Sequence, residues 1–190
     1  MSGLKIGWAF CGSFCTFDRA MPVLQALVDA GHEVTPIFSE TAYRTDTRFG
    51  KAAEWVEKAE TITGRPVIHT IDGAEPIGPQ KLLDLLIVAP ATGNTLAKLA
   101  HGITDTAVTM ACKSHLRNNR PLLLAVSTND GLAGSAPNIG ALMGRKHIFF
   151  VPYRQDDALK KPSSLVAELE RIPEILPVVM KGVQPQPVLL

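Results

Sequence analysis

The segment at residues 85–89, LLIVA, is an unbroken apolar run. A strand with one solvent-exposed face alternates apolar and polar residues, so a continuous run predicts a strand that is buried on both faces. Strands of that kind occur in parallel sheets that carry helices on both sides. The run therefore favours folds in which a parallel sheet lies between two layers of helices.

Strand-like and helix-like segments alternate on both sides of this run. An apolar segment at 4–10, helical spacing at 18–30 and a second apolar segment at 33–38 form one βαβ unit. The pattern further predicts a helix at 51–63, a short strand at 66–70, a helix from Asn94, a helix at 104–118, strands at 121–127 and 147–153, a short helix at 138–144 and a last helix at 163–170. This alternation predicts an α/β fold with a three-layer, doubly wound parallel sheet, flavodoxin-like or Rossmann-like.

The length of the chain bounds the number of domains. Its 190 residues, 46% of them hydrophobic, are enough for one domain with a sizeable core and too few for two of ordinary size. We expect a single domain over 1–190. Four prolines predict a C-terminal tail, from about residue 173, that is not regular helix throughout.

The composition argues against several classes of function. With 19 Lys and Arg against 18 Asp and Glu, nothing favours a nucleic acid or a membrane as the partner. The N-terminus lacks the pattern of a signal peptide, and three cysteines without framework spacing fit a reduced, cytoplasmic protein. Cys11 and Cys15 form either a redox pair or, more simply, packing thiols. The five histidines are scattered, so we predict no metal site.

Small and polar residues follow three of the predicted strands. Gly12 and Ser13 follow the first, Ser39 and Thr41 the second, and the segment TGNT at 92–95 the fourth. In doubly wound sheets ligands bind beyond the carboxyl ends of the strands, and hydroxyl groups at helix N-termini suit a phosphate. Taken alone, the first tip is equally well an ordinary capped turn, capping is the better explanation for Ser39 and Thr41, and capping of the helix is the alternative for Asn94. Three such tips on one edge favour an anionic ligand.

The sequence lacks the dinucleotide-binding fingerprint. No G-x-G-x-x-G follows the first strand, and Glu40 alone, after the second strand, matches the acid that holds a ribose diol. Ser39, at the same strand end, fits a terminal phosphate better than a ribose diol.

Residues 90–106, PATGNTLAKLAHGITDT, resemble the signature P-A-x-x-N-T-[IL]-A-K-[IL]-A-x-G-[IL]-x-D of the homo-oligomeric flavin-dependent decarboxylase and prenyltransferase superfamily. The segment GSF at 12–14, Ser39, and PNIGALMG at 137–144 fall where that superfamily has its other flavin loops. The resemblance covers roughly residues 4–153. It implies a flavodoxin-like sandwich that binds FMN and assembles into a homo-oligomer.

Carried over residue by residue, the resemblance implies ten cofactor-binding positions and no catalytic residue. They are Gly12, Ser13, Phe14, Ser39, Thr41, Ala91, Thr92, Asn94, Thr95 and Asn129. Neighbouring subunits in the superfamily lie against the flavin sites. The segment at 105–116, rich in small residues, is a candidate for such a contact or packs within the chain.

Three longer segments, at 74–106, 113–132 and 150–157, are more narrowly similar to the dipicolinate synthase B chains of endospore-forming bacteria. This resemblance implies that the chain works with a separate A chain to oxidise dihydrodipicolinate to dipicolinate. It also implies that NADP, on the partner chain, accepts the hydride. The expected location is the mother-cell cytoplasm of a sporulating bacterium.

The chain departs from the cysteine decarboxylases of the superfamily at three places. The loop at 71–83 has no histidine, the segment VSTN at 126–129 replaces P-x-M-N, and the C-terminal part has no cysteine. Cysteine decarboxylation is therefore not expected. A dicarboxylate favours bidentate arginine contacts, and Arg154, which follows a strand end, is preferred among the candidates Arg44, Arg48, Arg117, Arg120, Arg145 and Arg154.

Two hypotheses from different classes remain at this point. In the first, the chain is the flavin-site component of a two-chain oxidoreductase. In the second, it is a scaffold or allosteric partner that keeps the fold and the phosphate pocket while the A chain performs the chemistry. The retained Gly12, Ser39 and Asn94 favour a working site, whereas the missing histidine permits either hypothesis.

Overall fold

The computed structural model describes residues 3–190, which form one seven-stranded sheet with helices around it. The strands are β1 (Lys5–Phe10), β2 (Glu33–Phe38), β3 (Leu85–Ala91), β4 (Leu122–Thr128), β5 (Ile148–Phe150), β6 (Tyr153–Asp157) and β7 (Lys161–Ala167). The helices are α1 (Phe17–Asp29), α2 (Glu40–Arg44), α3 (Ala52–Thr63), α4 (Ile71–Ala74), α5 (Gly93–His101), α6 (Ala107–Leu116), α7 (Ala136–Met143) and α8 (Ile172–Val179). Among these residues no helix is both long and apolar enough to cross a membrane.

Five strands form a parallel sheet in the order β2-β1-β3-β4-β5. The apolar run that predicted a doubly covered strand is β3, and all seven of its residues are buried. Helix α1 packs against α3 and α8, while α5 packs against α6 and α7, so two groups of helices flank the sheet. The predicted three-layer α/β class is therefore confirmed.

The end of β3 is irregular at a proline. Pro90 has no N–H to donate to the sheet, and the register between β3 and β4 shifts between Val88 and Ala91. The carbonyl of Ala89 instead accepts a hydrogen bond from the indole Nε1 of the fully buried Trp8 on β1, at 2.9 Å. A side chain from the neighbouring strand thus pairs the carbonyl at the strand end, where the candidate site begins.

The expectation of a wholly parallel sheet is wrong at one edge. Strand β7 pairs antiparallel with the end of β4, at Ser127 and Thr128, and β6 pairs antiparallel with β7. The segment at 163–170, predicted as a helix, therefore belongs largely to a β6–β7 hairpin. Leu165 and Ala167 are buried there, so tertiary packing overrides the local helical pattern.

The predicted strand at 66–70 is also wrong. Only Ile68 pairs with β2, through one bridge to Ile37, because Pro66 cannot donate a hydrogen bond and the chain then turns away into α4. The helix predicted at 51–63 is confirmed as α3, which ends at Gly64 in the left-handed conformation (φ 64°).

Helix α6 covers most of the segment rich in small residues. Seven of its ten residues are buried, and it packs against α4, α5 and the sheet. Its small residues therefore serve packing within the chain, which was the alternative to an intermolecular contact. The homo-oligomer itself stays a prediction.

The C-terminal tail is partly helical. Helix α8 includes Pro177, and after Gly182 the chain runs beside the sheet edge, where Gln184 exchanges hydrogen bonds with the backbone of Phe150 and the N–H of Leu190 donates to the carbonyl of Tyr153. The predicted departure from regular helix thus occurs beyond α8.

Candidate functional site

Two adjoining cavities lie at the carboxyl ends of β1, β3 and β4. The larger has a volume of about 820 Å³ and the smaller about 410 Å³. Gly12, Thr92 and Asn94 line both, so these residues form the junction between the cavities. This is the edge at which ligands bind in doubly wound sheets.

The structure brings nine of the ten predicted cofactor-binding residues to these cavities. Besides the three residues of the junction, Ser13, Phe14 and Asn129 line the larger cavity, and Ser39, Thr41 and Thr95 line the smaller one. The exception is Ala91, which is fully buried in β3 and lines neither cavity. Whether these residues hold a cofactor stays a prediction.

Helix α5 presents its N-terminus to the junction. Thr92 is the N-cap, and its hydroxyl accepts a hydrogen bond from the backbone N–H of Thr95 at 3.4 Å. The N–H groups of Gly93 and Asn94, in the first turn, have no acceptor within the helix. The partial positive charge of this end and its free donors suit an anion.

Asn94 does not cap the helix, which was the structural alternative for this residue. The cap is Thr92, and the exposed Asn94 side chain makes no hydrogen bond within residues 3–190. Its amide therefore remains free to donate to and accept from a ligand in either cavity.

Three hydroxyl groups form a closed triangle on the wall of the larger cavity. Ser13 Oγ lies 2.8 Å from Ser127 Oγ and 3.0 Å from Thr16 Oγ1, and the latter two are 3.0 Å apart. An ordinary capped turn was the alternative explanation for this tip, but neither Ser13 nor Thr16 makes a side-chain cap at the following helix. Their hydroxyls instead tie the β1 loop to the end of β4.

Asp130 is an anchored carboxylate at the tip of β4. Its Oδ1 accepts hydrogen bonds from Thr128 Oγ1 at 2.5 Å and Ser135 Oγ at 2.8 Å. The hydrogen bond from Thr128 is the main cause that lowers the pKa of Asp130, with a further contribution from Ser135. At neutral pH this side chain is therefore an ionised group and a weak base.

Gly93 makes room for this network. A Cβ built at Gly93 would lie 2.5 Å from Ser135 Oγ, 2.8 Å from Thr128 Oγ1 and 2.9 Å from Asp130 Oδ1. The sequence suggested that this glycine permits close approach of a ligand. The structure shows that the free space is already taken by the loop after β4.

The remaining titratable groups offer little acid–base chemistry at neutral pH. Burial raises the pKa of the Cys11 thiol to about 11, so it is neutral, and Cys15 is exposed and not bonded to it. His69 stacks on the ring of Tyr43, with centroids 3.7 Å apart, and no histidine of residues 3–190 lines either cavity. Within the same residues no group of side chains has the arrangement of a metal site.

The sequence missed the far wall of the larger cavity. None of the six arginines proposed for a dicarboxylate lines either cavity, and Arg154 is exposed and paired with Glu168 at 2.5 Å. The residues that do line this wall are Arg19 on α1 and Asp156, Lys161, Ser164, Leu165 and Val166 on the β6–β7 hairpin. Residues 163–170 were predicted as a helix and residues 154–162 as no element, so the hairpin had no assigned place at the site.

Comparison with known proteins places the chain among similar sequences and folds. The family described as Flavoprotein matches residues 1–147. The B subunit of dipicolinate synthase from Bacillus subtilis (strain 168) is 44% identical over 190 residues, which cover 100% of this chain and 95% of the relative. The crystal structure of the corresponding B subunit from Bacillus halodurans has a TM-score of 0.91 and 41% identity, covering 100% of this chain and 97% of that one.

A more distant structural neighbour shares the fold. DmrB of Burkholderia xenovorans, solved in complex with FMN and described as a cubic protein cage for redox transfer, has a TM-score of 0.68. It is 18% identical and covers 94% of this chain and 96% of its own. Similarity at this level concerns the fold alone.

Proposed function

The chain belongs to the flavoprotein family and, within it, to the B subunits of dipicolinate synthase, and from this premise we propose that it binds FMN and acts with a separate, NADP-binding A chain to oxidise dihydrodipicolinate to dipicolinate. The observation that carries the proposal is the free Asn94 amide at the junction of the two cavities, beside an α5 N-terminus that Thr92 already caps.

The residues present fit FMN. The smaller cavity offers the hydroxyls of Ser39, Thr41 and Thr95 and the N-terminal N–H groups of α5, which are the donors that a phosphate requires. Gly12 keeps the junction open, because a Cβ there would come within 3.4 Å of Thr41 Cγ2 and 3.7 Å of the Phe14 ring. We therefore assign the phosphate to the smaller cavity and the larger cavity to the flavin ring and substrate.

The two ionisable groups of the smaller cavity that come from α5 and its following loop are committed to each other. Lys98 Nζ donates to both oxygens of Asp105, at 2.8 and 2.9 Å. The hydrogen bond from Lys98 is the main cause that lowers the pKa of Asp105. Asp105 occupies two of the three ammonium N–H groups of Lys98, so the neutral donors of this cavity supply most of the groups left for a phosphate.

Aromatisation of a dihydropyridine removes two hydrogens, one with its electron pair to a cofactor and one as a proton to a base. FMN, when bound, would supply a group able to take up this hydride equivalent and pass it on to the NADP of the partner chain, which is the final acceptor. Two carboxylates, Asp130 and Asp156, line the larger cavity. Asp130 is held by Thr128 and Ser135 at the tip of β4, and because its lowered pKa makes it a weak base, we assign it the role of orienting the water that takes up the proton.

NADP is assigned to the partner chain on physical grounds. The loop after β1 has one glycine, Gly12, where a pyrophosphate site needs three, and Phe14 lies beside it. A helix N-terminus on another chain must therefore receive the pyrophosphate of the nicotinamide cofactor.

The two-chain proposal is tested by following ring formation through ultraviolet absorbance. We expect dipicolinate formation with both chains and none with either alone. Asn94→Ala is expected to weaken FMN binding about five- to hundredfold, because a ligand contact worth about 1–3 kcal/mol is lost. FMN affinity is measured by quenching of flavin fluorescence.

Asn138→Ala on α7 is the matched control, since Asn138 lines neither cavity. It is expected to leave FMN affinity and the two-chain rate unchanged. Full activity from the A chain alone would remove this chain from the chemistry. Activity that requires this chain but ignores the Asn94 substitution would leave the scaffold hypothesis.

We also expect no decarboxylation of C-terminal cysteine peptides or of phosphopantothenoylcysteine by the FMN-loaded chain. No histidine of residues 3–190 lines the cavities, and Ser127 and Thr128 occupy the place of the decarboxylase motif. Mass spectrometry would detect decarboxylation as a decrease of about 44 mass units in the peptide or substrate, the mass of the carbon dioxide that is lost. Turnover above the rate of free FMN would contradict the assignment.

A further inference from the structure

Building on the proposed function, we infer that the far wall of the larger cavity is the dicarboxylate subsite, with Arg19 as its anchor and Lys161 as a second cation. Arg19 comes from α1 and Lys161 from the start of β7, so two separate elements converge on one wall. Among residues 3–190 they are the two basic side chains that line this cavity. The inference names the residues that recognise the substrate.

Arg19 is held in place and still has donors to spare. Its Nε and Nη2 donate to the two carboxylate oxygens of Glu170, each at 2.9 Å. A guanidinium has five N–H groups, so three remain, two of which lie on the edge formed by Nη1 and Nη2. This edge offers a second carboxylate the same bidentate geometry, and the pairing with Glu170 lowers the conformational entropy lost on binding.

Lys161 is held in a similar way. Its Nζ donates to Asp156 Oδ2 at 2.6 Å, which leaves two of the three ammonium N–H groups. Its side chain is 60% exposed, so its attraction for a ligand is more strongly screened than that of Arg19. Lys161 is therefore the weaker of the two contacts.

The wall also suits the ring of a pyridine dicarboxylate. Leu165 and Val166 on β7 and Phe14 after β1 line the same cavity and provide apolar surface for a flat ring. Asp130, the other anchored carboxylate, lies at the β4 tip, where Thr128 and Ser135 already donate to it. The wall therefore combines two cations and an apolar surface, and its one lining carboxylate, Asp156, is already paired with Lys161.

The test is direct titration of the full-length chain with dipicolinate by calorimetry, in buffer freed of divalent metals, with and without FMN. Arg19→Gln is expected to weaken binding about 10- to 100-fold, because a charged, bidentate hydrogen bond is lost. Lys161→Gln is expected to weaken it about two- to fivefold, as for an exposed ion pair. Lys160→Gln, the neighbouring exposed residue on the same hairpin, is the matched control and should change nothing.

Two further measurements separate recognition from folding. Arg19→Lys keeps the charge but removes the planar fork, so an intermediate loss of affinity is expected. Picolinate, with one carboxylate, should bind more weakly than dipicolinate, and Arg19→Gln should reduce the difference between them. The thermal unfolding temperature of the Arg19 variants should be lowered only slightly, as for the loss of the partly exposed ion pair with Glu170, and their FMN affinity should change far less than their dipicolinate affinity.

Equal dipicolinate affinity of the unsubstituted and Arg19→Gln chains would overturn the inference, and so would the absence of binding up to millimolar dipicolinate. If FMN binding and two-chain activity persist in that case, the proposed function stands and the subsite alone is wrong. If dipicolinate binding depends on Arg19 while the chain binds no FMN, the subsite stands and the cofactor assignment is wrong.

Discussion

Gly93→Ala is expected to destabilise the chain by about 1–3 kcal/mol, as overpacking a filled site does, and to abolish measurable FMN binding. The added methyl group would lie 2.5 Å from Ser135 Oγ and within 3 Å of Thr128 Oγ1 and Asp130 Oδ1. These three short side chains are hydrogen-bonded to one another, so none moves without breaking the network. Relief of the clash would displace α5 and its N-terminal donors instead.

Urea unfolding gives the stability of this variant, and flavin fluorescence gives its affinity. Gly140→Ala on α7 is the matched control, because nothing lies within 4 Å of a Cβ built there. It should bind FMN normally and be as stable as the unsubstituted chain or up to about 1 kcal/mol more stable, from helix propensity. Normal stability and affinity in Gly93→Ala would show that the loop after β4 is not fixed as described.

The second large effect is a loss of stability in mild acid that is caused by His115. This side chain on α6 is 1% exposed, its Nε2 lies 2.9 Å from the Pro121 carbonyl, and its Nδ1 is buried without a partner. The pKa of His115 is lowered from 6.5 to about 4, chiefly by burial and in smaller part by the charge of Arg120, while the hydrogen bond to Pro121 and the charge of Asp84 act in the opposite direction. The folded chain therefore holds His115 neutral.

The direction of this pH dependence follows from the linkage between proton binding and folding. Between pH 6.5 and about 4 the unfolded chain binds the proton and the folded chain does not. The stabilisation is fully present above pH 6.5 and is lost as the pH falls towards 4, by about 3 kcal/mol in all at 1.36 kcal/mol per pKa unit.

Chemical denaturation at a series of pH values measures this loss. His115→Gln, whose amide can still donate to the Pro121 carbonyl, is expected to lose less stability over the same pH range by about that amount. His101→Gln, on an exposed residue, should keep the full pH dependence. An unchanged slope in His115→Gln would assign the acid sensitivity to another group.

The parallel core could be predicted from sequence because its signals are local. A continuous apolar run such as LLIVA at 85–89 favours a strand buried on both faces. Gly64 ends its helix because glycine adopts the left-handed conformation without steric cost. The β6–β7 hairpin could not be predicted from sequence, because it depends on pairing with Ser127 and Thr128, more than thirty residues away in the chain. Local pattern at 163–170 favours a helix, and contacts distant in sequence decide otherwise.

The residues of the candidate site also fall into those that local sequence could predict and those that it could not. The resemblance to flavoproteins and to dipicolinate synthase B chains, carried by the segment at 90–106, is confirmed by the comparisons. The strand tips converge as expected, because parallel strands end at one edge. Arg19 was missed because it lies within a helix, where no sequence pattern distinguishes it from a surface charge, and only the hairpin brings it to a cavity wall.

Strand β4 has two different neighbours along the same edge. Its first half, Leu122–Leu124, pairs with β5 and its last residues, Ser127 and Thr128, pair with β7. The pairing that completes the parallel core is therefore separate from the pairing that attaches the hairpin. The far wall of the larger cavity is thus attached to the core through the last two residues of β4, which line the same cavity, so the position of that wall depends on the pairing of one strand end.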